Sequence, residues 1–156
     1  MRISDILCEE FVKLNLKGEN KNDIINSTID LLKNSKKILD IDKVKNAIFE
    51  REKIMSTGVG NGFAIPHGKT DGVTDIVAAF AITEKPIDYQ ALDDKPVRLI
   101  FLLVGKDNLV GPHIKLLSRI SRLMNKEEFR QKLINSSSAE EIIENFKVEE
   151  ANYFDI

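Results

Sequence analysis

Cysteine is nearly missing from this chain of 156 residues. The single Cys8 leaves no internal disulfide and no cysteine-rich zinc site, a usage that suits a reducing compartment. Long apolar runs are missing too. None approaches the ~18 residues of a membrane span, and the N-terminus alternates charged and apolar residues where a leader would carry an apolar stretch behind a basic start. The chain is therefore expected to be cytoplasmic, without direct membrane insertion. Nor is there a charge bias: 23 Lys and Arg stand against 25 Asp and Glu, a net charge of −2. That balance gives no reason to expect a nucleic-acid or anionic-membrane partner. With no evident repeat, low-complexity block or linker, 1–156 reads as one domain, its core over roughly 1–147.

Glycine is sparse but concentrated. Five of the eight glycines fall between Arg51 and Gly72. Glycine permits positive φ and lets backbone N–H groups approach a ligand, so Gly58, Gly60 and Gly62 beside Thr57, Arg51 and His67 predict a pocket for an anion. Two nucleotide motifs fail here. Gly68-Lys69-Thr70 resembles the end of a P-loop, but the loop's first glycine is replaced by Phe63 and Pro66 lies inside it. Gly58-Val59-Gly60 opens a dinucleotide fingerprint whose third glycine is again Phe63. What remains is Phe63-Ala64-Ile65 running into Pro66-His67-Gly68. Proline cannot donate to a ladder, so Pro66 is expected to end an edge strand and present His67 at the rim, with Gly68 turning the chain away. A neutral imidazole there can act as nucleophile or general base.

In chain order, Phe11–Leu14 alternates as a first edge strand. Ile24, Ile25, Thr28, Leu31, Leu32 and Ser35 share a helical face, with Asn20 and Asp23 resembling a capping box. A second helix begins at Asp40 or Asp42 and ends near Arg51. Ile76–Ile82 and Val97–Val104 are apolar enough to be strands covered on both faces. Pro86-Ile87-Asp88-Tyr89 reads as a separate extended piece, and Gly105 as the break after the second strand. Gly111-Pro112-His113 opens a helix through Ile114, Leu117, Ile120 and Met124. A short helix near Phe129 to Leu133 and a last one from Ser136 through Phe146 follow, and the tail, Val148 to Ile156, shows no pattern and is expected to be loose. The order predicts an α/β layered domain with helices on both faces of a sheet.

The run Arg51-Glu52, then Ser56-Thr57-Gly58-x-Gly60-x-Gly62-x-Ala64-x-Pro66-His67, resembles the active-site signature of the fructose/mannitol/nitrogen-type IIA domains of the phosphoenolpyruvate-dependent sugar phosphotransferase system. The resemblance implies a three-layer α/β/α fold with a mixed central sheet. It also implies a phosphohistidine carrier that takes a phosphoryl group from HPr or a paralogue on His67 and passes it to a cysteine of a IIB domain, with no nucleotide or metal cofactor. His113, the only other histidine, matches the family's second active-site histidine. In that scheme His67, His113 and Arg51 are catalytic, while Thr57, Gly58 and Asn61 bind phosphate or tighten the loop. Phe63, Ile65, Lys69 and Val110 are candidates for a partner-docking rim or for ordinary packing.

Two other readings stay open at this point. The nitrogen-related branch resembles the same signature and uses the phosphorylation state of the histidine to control partner proteins. A metal- or anion-binding module, with His67, His113 and a carboxylate such as Asp71 as ligands, is the rival from another class.

Overall fold

The computed structural model describes residues 1–154. Two long strands form its spine: β5 (Val77–Ile87) and β6 (Val97–Lys106) pair antiparallel, Phe80 opposite Phe101. Outside β5 lies β1 (Val12–Leu16), parallel to it. The other edge of β6 is shared. β3 (Phe63–Ala64) pairs with its first half and β4 (His67–Thr70) with its second, both parallel to it, and β2 (Gly58–Gly60) adds antiparallel to β3. The described residues thus form a mixed six-stranded sheet.

Strand alternation sends successive side chains to opposite faces, and both faces are apolar. Ala78, Phe80, Ile82, Leu99, Phe101 and Leu103 meet α1 (Ile3–Ile6), α4 (Val110–Met124), α5 (Glu127–Ile134) and α6 (Ala139–Phe154). Val77, Ala79, Ala81, Ile100, Leu102 and Val104 meet α2 (Lys21–Asp30) and α3 (Ile41–Ile54). The architecture is the three-layer α/β/α expected from the sequence. On the first face Phe146 is the hub of an aromatic cluster, edge-on to Phe80, Phe101 and Phe129 at 5.3, 5.6 and 5.1 Å. Contacts of this geometry contribute roughly 0.5–1.5 kcal/mol each beyond area burial.

Helix starts follow their caps. Asn20 accepts from the Asp23 N–H at 2.9 Å, but Asp23 answers by accepting from Glu19, one residue earlier than a capping box requires. Asp40 accepts from Asp42 and Lys43 at the start of α3.

Three expectations need correction. Pro86 does not mark a separate piece: β5 runs on to Ile87, and the proline falls where the register with β6 shifts between Ile82 and Ile87, so no regular ladder bond is lost. Gly105 does not end the second strand, since β6 continues to Lys106 with Gly105 opposite Lys69. The stretch from Val148 to Phe154 is not loose but completes α6; Asp155 and Ile156 lie outside the described residues.

Part of what fixes this last stretch is a buried carboxylate. Glu150, 1% exposed, accepts from the N–H groups of Ile3 at 2.6 Å and Ser4 at 3.0 Å, so the end of the chain caps α1 at its beginning. Hydrogen bonds to a charged group contribute about 1.5–3 kcal/mol each. Glu150→Ala is expected to lower the unfolding free energy by about 2–3 kcal/mol in urea titration with the slope unchanged. A loss below about 0.5 kcal/mol would mean that apolar packing of Ile3 and Ile6 holds α1 without the cap.

Candidate active site

His67 opens β4 directly after Pro66. Instead of turning the chain away, Gly68 continues the strand, pairing with Val104. A Cβ on Gly68 would lie 3.0 Å from the Ala47 carbonyl carbon, so the glycine lets α3 rest against the strand. The two-residue period then puts His67 and Lys69 on the α4 face.

The imidazole of His67 is partly buried, and its Nδ1 lies 2.7 Å from the Ile65 carbonyl. A carbonyl oxygen only accepts, so Nδ1 carries the proton and Nε2 keeps its lone pair. Burial lowers the basicity of the ring. The Ile65 carbonyl opposes that shift, the charges of Arg51 and Lys69 add to it, and Glu52 opposes it.

His113 stands in the first turn of α4, which begins at Val110, one residue before the Gly111-Pro112-His113 opening expected from the sequence. Its N–H makes the first helical bond, to the Leu109 carbonyl at 3.1 Å, and Pro112 needs none. The ring is 3% exposed, lies 5.9 Å from that of His67 between centroids, and has no hydrogen-bond partner on either nitrogen among the described residues. Burial, and then the charges of His67 and Lys69, push its pKa down to about 4. The space for this ring comes from Gly105: a Cβ there would sit 2.8 Å from His113 Nδ1.

Arg51 occupies the last turn of α3, one guanidinium nitrogen donating to the Met55 carbonyl at 2.8 Å. The remaining candidates make different contacts. Thr57 is buried, its N–H and hydroxyl both engaged by Glu52. The Gly58 N–H donates to the Ser56 hydroxyl. Asn61 is at the exposed tip of the β2–β3 hairpin, its N–H donating to Asp93 at 3.1 Å. Gly60, Asn61 and Gly62 all have positive φ, at 130°, 58° and 79°, which explains the glycines on either side of the asparagine. Phe63 and Ile65 lie in the core, whereas Lys69 and Val110 are exposed. Asp71 pairs with Lys43 at 3.0 Å, and no group of three or more His, Cys, Asp or Glu suited to a metal ion occurs among the described residues.

The structure therefore brings His67, His113 and the charge of Arg51 together, and sets beside them Lys69, Glu52 and Gly105, for which no chemical part is expected from the sequence. Lys69 could have been found from strand alternation, two residues beyond His67. Glu52 stands beside Arg51 in the signature, but its bonds to Thr57 and Lys21, like the approach of His113 to Gly105, depend on tertiary contacts.

Comparison with known proteins agrees over most of the chain. Residues 5–148 match the family model "Phosphoenolpyruvate-dependent sugar phosphotransferase system, EIIA 2". The fructose-specific EIIABC component of Bacillus subtilis is 35% identical over 144 residues, 92% of this chain but 23% of that protein's length. The chain thus spans about a quarter of that relative. The nitrogen regulatory protein IIA-Ntr of Neisseria meningitidis is also 35% identical and superimposes with a TM-score of 0.87 over 92% of this chain and 98% of that one. Enzyme IIAMtl of Escherichia coli, solved in complex with phosphorylated enzyme IIBMtl, shares the fold at 21% identity, with a TM-score of 0.77 over 91% and 97% of the two chains. On the signature around His67, the fold that carries it and this match, the chain belongs to the EIIA type 2 family of the phosphotransferase system.

Proposed function

We propose that this chain is a cytoplasmic phosphocarrier in which His67 Nε2 accepts a phosphoryl group from the phosphohistidine of an HPr-type protein and delivers it to the cysteine of a IIB domain. The observation that carries the reading is the 2.7 Å contact between His67 Nδ1 and the Ile65 carbonyl, because it leaves Nε2 as the nucleophile. In the first step the Nε2 lone pair forms the new N–P bond while the bond from phosphorus to the donor's ring nitrogen breaks, returning the electron pair to that nitrogen. In the second, the IIB thiolate attacks phosphorus and Nε2 recovers its lone pair. Neither step requires a nucleotide or a metal to balance.

The transferring group carries its charge on three equatorial oxygens, so the protein acts by positioning and by charge. His113, beside the nucleophile, donates to one oxygen when its ring takes the matching tautomer. Arg51 and Lys69 supply fixed positive charge, and Thr57, Gly58 and Asn61 shape the hairpin that borders the phosphoryl position. In the phosphorylated state Nδ1–H still donates to Ile65.

The equal identity to a nitrogen regulatory protein favours a second use of the same chemistry, in which the phosphorylation state of His67 is read by a regulated target protein. Transfer onward separates the two: passage of label to a fructose-type IIB domain supports sugar uptake, and retention by His67 with altered binding of a target supports regulation.

Labelled phosphoenolpyruvate with enzyme I and an HPr-type protein is expected to give an acid-labile label on the wild type and none on folded His67→Ala. An equally labelled His67→Ala would overturn the assignment of the nucleophile. Ring-proton NMR is expected to place the His67 midpoint below 6.5 and that of His113 about 4. Both rings are then neutral at pH 7, and phosphoryl acceptance is lost only as pH falls through the His67 midpoint; a midpoint above 6.5 would contradict this. Gly105→Ala should displace the His113 ring, cost about 1–3 kcal/mol of stability and slow transfer about tenfold or more. Wild-type rates in the folded variant would show that the position of His113 is not used.

A further inference from the structure

One buried carboxylate stands behind the site, its hydrogen bonds directed at Thr57 and Lys21. Glu52, 8% exposed, follows Arg51 in the last turn of α3. One of its oxygens accepts from Lys21 Nζ at 2.9 Å and from the Thr57 N–H at 3.0 Å; the other accepts from the Thr57 hydroxyl at 2.7 Å. An ionised carboxylate only accepts, so the Thr57 proton goes to Glu52, and the Tyr89 hydroxyl, 2.9 Å from Thr57 Oγ1, donates in turn. Lys21 is the first residue of α2, where the helix dipole disfavours a cation. Its ammonium is turned to Glu52 and lies 4.7 Å from the centre of the Tyr89 ring.

Thr57 joins this network to the nucleophile. Its carbonyl accepts from the Ile65 N–H at 3.1 Å, and the Ile65 carbonyl accepts from His67 Nδ1 at 2.7 Å. Two residues therefore lie between Glu52 and the imidazole, each hydrogen-bonded on both sides. Pro66, with its fixed φ, links Ile65 to His67. Thr57 and Ile65 are both buried, so water does not readily substitute for a lost bond.

We propose that Glu52 is a positioning residue which, through Thr57 and Ile65, holds the His67 ring in the Nδ1–H tautomer with Nε2 free. The purpose of that arrangement rests on the phosphocarrier reading, but the tautomer can be measured without any transfer. Loss of the carboxylate releases one side of Thr57 and with it the fixed placement of the Ile65 carbonyl, so the tautomers mix.

The test is Glu52→Gln in the full chain, read by long-range proton–nitrogen NMR of the His67 ring above its titration midpoint. The wild type is expected to show a protonated Nδ1 and an unprotonated Nε2; in the variant the two nitrogen shifts move toward each other, and phosphoryl acceptance from an HPr-type donor falls about tenfold or more. If the unpaired Lys21 ammonium prevents folding, Glu52→Gln with Lys21→Met removes both charges and the same shift is expected. A merely structural role predicts a lower Tm with the His67 shifts unchanged, and that result in either folded variant overturns the proposal. Failure of both to fold overturns it as well, because Glu52 would then determine the fold and not the ring. Movement of the shifts in a protein whose wild type takes no phosphoryl group would support the positioning role and refute the phosphocarrier reading.

Discussion

The register between β4 and β6 determines which way His67 and Lys69 face and what lies under His113. With His67 opposite Leu103, the histidine must face α4; with Gly68 opposite Val104, the next residue must face α3; with Lys69 opposite Gly105, a cation and a missing side chain lie together under His113. A slip of one residue would turn the imidazole into the α3 interface and place a lysine against Ala47. Pro66 does not disturb this register, because its carbonyl still accepts from Leu103 at 3.0 Å while its nitrogen has nothing to donate.

Around that register the electrostatics are one-sided. Two imidazoles are kept neutral by burial, and the cations near them, Arg51 and Lys69, add to the effect. A pair of weakly basic rings beside fixed positive charge suits an incoming anion more than a proton, since protonating either ring would add a like charge at short range. Glu52 is the near carboxylate, and its oxygens are directed at Lys21 and Thr57.

What could be read in the sequence was local. Arg51, His67 and the glycines between them form one contiguous signature, the helix caps at Asn20 and Asp40 lie beside the groups they cap, and the apolar runs of β5 and β6 are continuous. What could not be read depends on distant partners. Gly105 looks like a strand terminator until the β4 register puts His113 over it. The helix beyond Val148 shows no apolar stripe because part of what fixes it is a carboxylate whose partners lie at the other end of the chain. The Thr57 hydroxyl resembles a phosphate ligand from its neighbours in sequence, whereas its bonds go to Glu52 and Tyr89, which only folding brings within reach.

The cap that Glu150 places on α1 has a consequence for modularity. Because the first helix and the last are joined by that carboxylate, both ends of the folded unit emerge at one location. A domain whose ends meet can be joined to other domains through either end, or set between two of them, without pulling its sheet apart. The same contact orders events in time: during synthesis β1 must wait for β5 to supply its ladder, and α1 must wait for its cap until the final helix has been made.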